Sequence, residues 1–360
     1  MAAYTTIDNA GAFYNTLLYT GTGSSLALTG VGFQPDFTWV KNRTATDFHV
    51  LTDAVRGATK YLKSNETTIE TTDAESLKSF DSDGFTVGTQ AQLNTNTETY
   101  VAWNWKAGTT TGLATNGSTT ITPSSYSFNQ TSGISILKYT GNTSAGAKVA
   151  HGLGVAPKMV IVKNLDDTDD WTIYHQDMDA IEMVSNTPAP EDYGMYFNNT
   201  DAKADNVEYW NDTVPDSVNF TVGVNARVNA AEDYVAYCFA DIPGFSRMGG
   251  YYGSGNANGQ FTYTGFKPAF IMVKRADVAN DWILLNNKMS LYNNETGDEL
   301  YADNDQYQNP FTDGGLDFYS NGFKCRGTNA SLNASSGIYI YMAFADSPFV
   351  NSNGTAGTTR

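Results

Sequence analysis

Three histidines, two cysteines and several acidic pairs are the residues of this chain whose chemistry is most readily put to use. His49, His151 and His175 have no i, i+4 partner and no common spacing, so they do not read as metal ligands or as a base with its orienting acid. His151 lies in Ala150-His151-Gly152-Leu153-Gly154, a turn ahead of a strand. No Gly-x-Ser-x-Gly elbow, phosphate loop or zinc motif occurs. Asp81-Ser82-Asp83-Gly84 and Asp166-Asp167-Thr168-Asp169-Asp170 bring carboxylates together, and Ca²⁺ takes oxygen ligands. Neither run has the full calcium-loop spacing. Asp81 and Asp83 are the calcium candidates, with a solvated turn as the alternative, and no cofactor is expected. Glycoside hydrolysis needs two carboxylates set across a cleft. Glu191-Asp192 and Asp298-Glu299 are adjacent acids in loop-like sequence, ordinary in this composition, and the chain is read as a non-enzyme. Cys238 and Cys325 have flanks without metal spacing and read as buried thiols rather than a disulfide framework.

Aromatic side chains offer a different chemistry, contact by stacking. Tyr193, Tyr196, Tyr209 with Trp210, Tyr251-Tyr252, Tyr301 and Tyr307 fall in polar stretches outside the repeated strands described next. Rings displayed there can stack on sugars or cover a contact with a partner, and Tyr and Trp make such contacts at low entropic cost.

The elements that must position these residues are announced by repetition. Gly32-Phe33-Gln34-Pro35-Asp36-Phe37-Thr38-Trp39-Val40-Lys41-Asn42 returns as Leu153-Gly154-Val155-Ala156-Pro157-Lys158-Met159-Val160-Ile161-Val162-Lys163-Asn164. It returns again as Gly265-Phe266-Lys267-Pro268-Ala269-Phe270-Ile271-Met272-Val273-Lys274-Arg275. The prolines at 35, 157 and 268 are 122 and 111 residues apart, a domain-sized period rather than a solenoid one. After each lysine comes an acid-aromatic pair, Asp47-Phe48, Asp170-Trp171 and Asp281-Trp282. Further on, Phe85, Phe220 and Phe323 open a strand, and Tyr100, Tyr234 and Tyr339 open another, with an aromatic five residues after each tyrosine. The prolines suit strand starts, where no ladder donor is lost. The apolar runs Met159 to Lys163 and Ile271 to Lys274 predict central strands.

Gly, Ser, Thr and Asn are abundant, aromatics reach 13% and charged residues only 16%, which favours strands and turns. Helical periodicity is scarce, and the best segment, Thr52 to Lys63, contains Gly57. The expected fold is all-β, with tandem β-sandwich modules of jelly-roll or immunoglobulin-like type in three diverged repeats. Small-residue stretches place them at 1–112, 113–247 and 248–360, the last with an extended tail from Asn351 to Arg360. The first segment, Met1 to Asn15, and this tail are polar enough to gain little by folding onto the modules. A formal charge of −17 repels phosphate backbones, which argues against nucleic-acid binding, and suits a marine source. The start has no basic region or apolar stretch of a signal peptide, and no run of about 18 apolar residues predicts membrane insertion.

Several of these segments together resemble a known family. Gly32 to Arg43, Val55-Arg56-Gly57-Ala58-Thr59-Lys60-Tyr61-Leu62, Ser79-Phe80-Asp81-Ser82-Asp83-Gly84-Phe85, Tyr100 to Trp105 and Phe344-Ala345-Asp346-Ser347-Pro348-Phe349-Val350 look like a domain of virion proteins of marine tailed bacteriophages. Those are tail-fibre, tail-associated or minor structural proteins. The likeness is fullest in the first repeat and reaches the other two through their framework strands. The Val-Arg-Gly-Ala-Thr-Lys segment is confined to the first. The resemblance implies a structural protein of the particle, tail-associated and of the adsorption type, that presents variable loops to host surface glycans or neighbouring virion proteins. A capsid decoration or head-fibre protein is the alternative, and a glycan depolymerase of the tail a further one. The expected location is the virion, reached from the host cytoplasm without a signal peptide. A homo-oligomer, most simply a trimer, is one expected assembly; internal threefold packing of the repeats in a single chain is the other.

Overall fold

The computed structural model describes residues 4–179, 189–289, 298–311 and 314–357. The chain is all-β, 43% strand and 7% helix, and its sheets are antiparallel. One four-strand arrangement occurs three times. Tyr14–Thr20, Thr99–Trp105, Phe37–Asn42 and Val50–Asp53 lie side by side in that order. So do Ile134–Thr140, Asp233–Phe239, Met159–Asn164 and Thr172–His175, and likewise Ser246–Tyr252, Ile338–Pro348, Phe266–Arg275 and Trp282–Asn286. The registers correspond: Phe37 faces Trp105, Met159 faces Phe239 and Phe270 faces Phe344. Each set also has a smaller sheet, built on Leu26–Thr29 with Gly84–Val87, Ala147–Ala150 with Asn219–Val222, and Asn258–Tyr263 with Gly322–Arg326. The proline-led strands are central, as their apolar runs predict, and Phe37–Asn42 and Met159–Asn164 are buried at every position.

Alternation along these strands sends side chains to two cores. In the first set Val40, Tyr100 and Ala102 face Leu28, Phe85 and Val87 of the smaller sheet. In the second, Val160, Val162 and Tyr234 meet Val149, Phe220 and Val222. The opposite faces of all three large sheets form one common core that includes Trp39, Trp103, Trp105, Ile161, Tyr237, Phe239, Phe270, Met272 and Phe344. The framework rings Trp39, Trp105, Phe239, Phe270 and Phe344 are all buried. Rings from different sets meet directly, Phe37 with Tyr237 at 4.6 Å and Tyr14 with Phe344 at 5.3 Å between centroids. The space left along this core is about 10 Å³, at the lower limit for one water.

The same inward faces carry Lys41, Lys163 and Lys274, each fully buried. An ammonium without water needs acceptors. Lys41 Nζ donates to its neighbour Asn42 O at 3.0 Å and to Asp305 O of the third set at 3.1 Å. Lys163 Nζ donates to Asn164 O at 2.9 Å and to Thr67 O of the first set at 3.1 Å. Lys274 Nζ donates to Arg275 O at 2.7 Å and to Thr200 O of the second set at 3.2 Å. The contacts run one way: first set to third, third to second, second to first. A second ring of bonds follows the same cycle. Trp171 Nε1–H donates to Lys63 O and Trp282 Nε1–H to Tyr196 O, both at 2.9 Å, and His49 Nε2–H donates to Tyr301 O at 2.7 Å.

Three expectations need correction. Thr52 to Lys63 is not helical: it holds the end of strand Val50–Asp53, a turn and the short strand Lys60–Tyr61, because a buried ladder partner outweighs local propensity. The residue equivalent to Trp171 and Trp282 is His49, not Phe48. Asp53, His175 and Asn286 pair with Phe37, Met159 and Phe270, and each lies four residues past that position. Phe48 instead stacks on Tyr61. Finally, the first segment does fold onto the body: Ile7, Ala10 and Tyr14 are buried in the common core. The tail is tied to it as well, since Ser352 donates from its backbone N–H and its hydroxyl to Asp8.

Replacing Lys163 by Met keeps the aliphatic stem and removes the donor to Asn164 O and Asp167 O of its own set and to Thr67 O of the first. Lys163→Met is expected to cost on the order of 2–4 kcal/mol in urea unfolding, whereas the exposed Lys78→Met changes stability by about 0.5 kcal/mol or less.

Candidate functional site

The three histidines are structural. His49 Nδ1 accepts from Trp39 Nε1–H, His151 Nδ1 from Leu153 N–H and His175 Nδ1 from Asp177 N–H. That leaves Nε2–H as the donor in each ring, to Tyr301 O, Asp216 O and Tyr341 O. Burial pulls His151 and His175 down to about 4 and His49 well below its ordinary value, so all three are neutral and saturated at neutral pH. Both cysteines are buried free thiols whose pKa is raised by burial.

The acids divide in the same manner. Asp83 accepts from the backbone N–H groups of Gly30 and Gly32, and Asp81 from the hydroxyls of Ser79 and Thr86, so each carboxylate holds a turn or a strand pair. Among the described residues no group of three His, Cys, Asp or Glu is placed to hold a metal ion. A cleft of about 440 Å³ lies between Asp36, Ala54, Val55, Thr110 and Ser124 to Ser127. Among the described residues its one lining carboxylate is Asp36, which accepts from Ser127 Oγ and Ala107 N–H, so they line the cleft without the pair that glycoside hydrolysis needs.

The aromatic candidates split between interior and surface. Tyr209, Trp210 and Tyr251 are buried and can touch no partner. The short helix Val207–Trp210 turns its rings onto Val222 and Phe220, and Tyr251 stacks on Tyr339 at 4.9 Å. Polar flanks conceal this, because flanking polarity does not report the face on which a ring lies. Tyr193, Tyr196 and Tyr301 are half-buried, while Tyr252 and Tyr307 are exposed. Lys203 Nζ lies 4.1 Å above the Tyr193 ring, Arg227 lies over Tyr196, and Tyr301 O–H donates to Glu299. The structure does not gather the eight into one surface.

What it gathers instead is a repeated device whose sequence signal carries no catalytic motif. Asn94, Asn229 and Asn333 are fully buried. Each Nδ2 donates to two carbonyls, Ser24 and Gly88, Ser144 and Gly223, Asn256 and Gly327. Each Oδ1 accepts one backbone N–H, from Thr22, Asn142 and Ser254. Beside it Tyr100, Tyr234 and Tyr339 donate to Ala91 O, Ala226 O and Ala330 O and stack on Tyr19, Tyr139 and Tyr251. The signal is Ala91-Gln92-Leu93-Asn94, Ala226-Arg227-Val228-Asn229 and Ala330-Ser331-Leu332-Asn333, one Ala-x-x-Asn ahead of each tyrosine-led strand.

One member of another triplicate is out of character. Asn65 Oδ1 and Asn198 Oδ1 accept the N–H of His49 and Trp171; the third place is taken by Asp303, which accepts from Trp282 N–H at 3.0 Å. Among the described residues Asp303 Oδ2 is buried without a hydrogen-bond partner, as is Glu299 Oε2. Desolvation pushes both carboxyls up to about 7. A folded pKa above the unfolded one means stability present at low pH and lost as pH rises through the folded value.

Residues 9–348 match the family described as a domain of unknown function, DUF7483, and the chain belongs to that family. The match runs through all three sets without a break. No curated protein matches the chain. Among the described residues no helix is long and apolar enough to cross a membrane.

Asp303→Asn restores the residue found in the other two sets. It is expected to raise the melting temperature at pH 8, with the gain shrinking towards zero as pH falls to about 4. A pH-independent gain would mean that the carboxyl is not the source of the penalty.

Proposed function

We propose that this member of the DUF7483 family is a non-enzymatic structural protein of a bacteriophage particle. Its body is three tandem β-sandwich modules of one topology, closed on one another as a pseudo-trimer within a single chain. The observation that carries the reading is the cyclic set of buried contacts from Lys41, Lys163 and Lys274 to Asp305, Thr67 and Thr200. These contacts commit the repeated interior to holding three modules together and leave the loops outside free to differ. Such a body suits display on a particle surface, tail-associated and of the adsorption type. The resemblance of the framework segments to marine phage virion domains supports the same reading.

Internal closure favours the single-chain assembly over the homotrimer. A pseudo-threefold body can sit on a threefold-symmetric site without two further copies. That arrangement also favours the second location, a decoration or head-fibre protein on the capsid. In either location the partners are other virion proteins, with host surface polysaccharide reached by the exposed loops.

Purified particles are expected to contain the protein, by mass spectrometry and cryo-EM, at the tail in the first reading and on the head in the second. Its presence in infected-cell lysate but not in particles would contradict both. Light scattering of the isolated protein is expected to give the 39.1 kDa of one chain at micromolar concentration; a stable mass three times larger would return the assembly to a homotrimer.

A further inference from the structure

The triplication supplies an internal control for surface residues. In the smaller sheets Gly84, Asn219 and Gly322 occupy one corresponding position, paired with Thr29, Ala150 and Tyr263. Two residues on, Thr86, Thr221 and Lys324 pair with Ala27, Lys148 and Phe261. Tyr319 pairs with Gly322 where Asp81 pairs with Gly84. The third set thus carries Phe261, Tyr263, Tyr319 and Lys324 where the first carries Ala27, Thr29, Asp81 and Thr86. The fold does not require rings or a cation at these places.

The substituted residues share one outward face. Phe261 is 45% and Tyr263 54% exposed, and the Phe261 and Tyr319 rings meet edge to face at 6.0 Å. Gly322 makes room for them: a Cβ there would lie 2.8 Å from Phe261 Cζ. The other cation of the face, Arg326, is held by Asp317 at 2.8 Å. Lys324 makes no ion pair among the described residues, in a chain with 38 acids and 21 Lys and Arg. Exposed contiguous rings of this kind mark contact surfaces.

We propose that this face binds an acidic polysaccharide, one built of uronate or sulfated sugars. The rings present flat aromatic surface to the C–H faces of sugar rings, and the unpaired Lys324 ammonium meets the carboxylate or sulfate. The proposal rests on the surface-display reading above and names its ligand class.

Alginate, a linear polyuronate, is the probe, with dextran as the neutral polymer and anionic phospholipid vesicles as the other charged surface. The full chain at about 0.15 M salt, where repulsion from the acidic body is largely screened, is expected to bind alginate and neither of the others. Phe261→Ala and Lys324→Thr place the residues of the first set at these positions, so the strands accept them. Phe261→Ala is expected to weaken alginate binding about tenfold and Lys324→Thr about threefold to fivefold, each with little change in melting temperature. No binding to alginate, or equal binding by the double variant, would overturn the proposal. So would loss of vesicle binding, rather than alginate binding, in the variants. The double variant is expected to enter particles like the unsubstituted chain. Absence of both from particles would remove the display reading and leave the binding result standing.

Discussion

A lysine taken wholly out of water constrains this molecule more than any other single residue. Lys41, Lys163 and Lys274 are 0% exposed, and desolvation pulls each down to about 8, against neighbouring carboxylates that favour the charge. The strand of each offers one backbone acceptor and a loop of another set offers a further one, with Asp167 O a third for Lys163. Separating the sets would leave both the ammonium and the carbonyls to find water. The indoles of Trp171 and Trp282 and the imidazole of His49 impose the same condition one layer away. Polar bonds of this sort fix direction and register, which the apolar packing of the common core does not. The packing supplies most of the free energy, and the polar cycle determines which set lies beside which.

Much of this was legible in the sequence because the framework strands are long runs under two-sided burial. Pro35, Pro157 and Pro268, the lysines six residues later and the tyrosine-led strands all fall where repetition places them. The direction of the lysines was not legible, since a strand pattern does not say which neighbour its inner face meets. Chemical likeness also misled: Phe48 looks like the partner of Trp171 and Trp282, but the ladder selects His49, whose Nε2–H replaces the indole N–H. Tyr209, Trp210 and Tyr251 looked like surface rings because their flanks are polar, and they are core. The Ala-x-x-Asn turns were visible but carried no catalytic meaning, so their structural role became clear only from the bonds each asparagine makes.

A single chain that contains three versions of one arrangement can let each version differ. The first set alone carries Arg56, fully buried between Asp53 and Glu70 and within reach of Tyr237 O–H of the second. Among the described residues the second alone carries a strand, Ser125–Asn129, on the outer edge of its large sheet. The third carries the ring-bearing face of Phe261 and Tyr263 and the buried acids Glu299 and Asp303. A homotrimer would repeat each of these three times; one chain places each of them once. The common core and the bonds around it permit this, since they depend on framework positions and leave the outward faces unconstrained.

Differential scanning calorimetry tests the interdependence of the three sets most directly. If the cyclic contacts make them one cooperative unit, the chain melts in a single transition whose calorimetric and van't Hoff enthalpies agree, with a ratio of about one. Two or three resolved transitions, or a ratio well above one, would show that the sets fold independently and that the buried lysine cycle does not hold the body together.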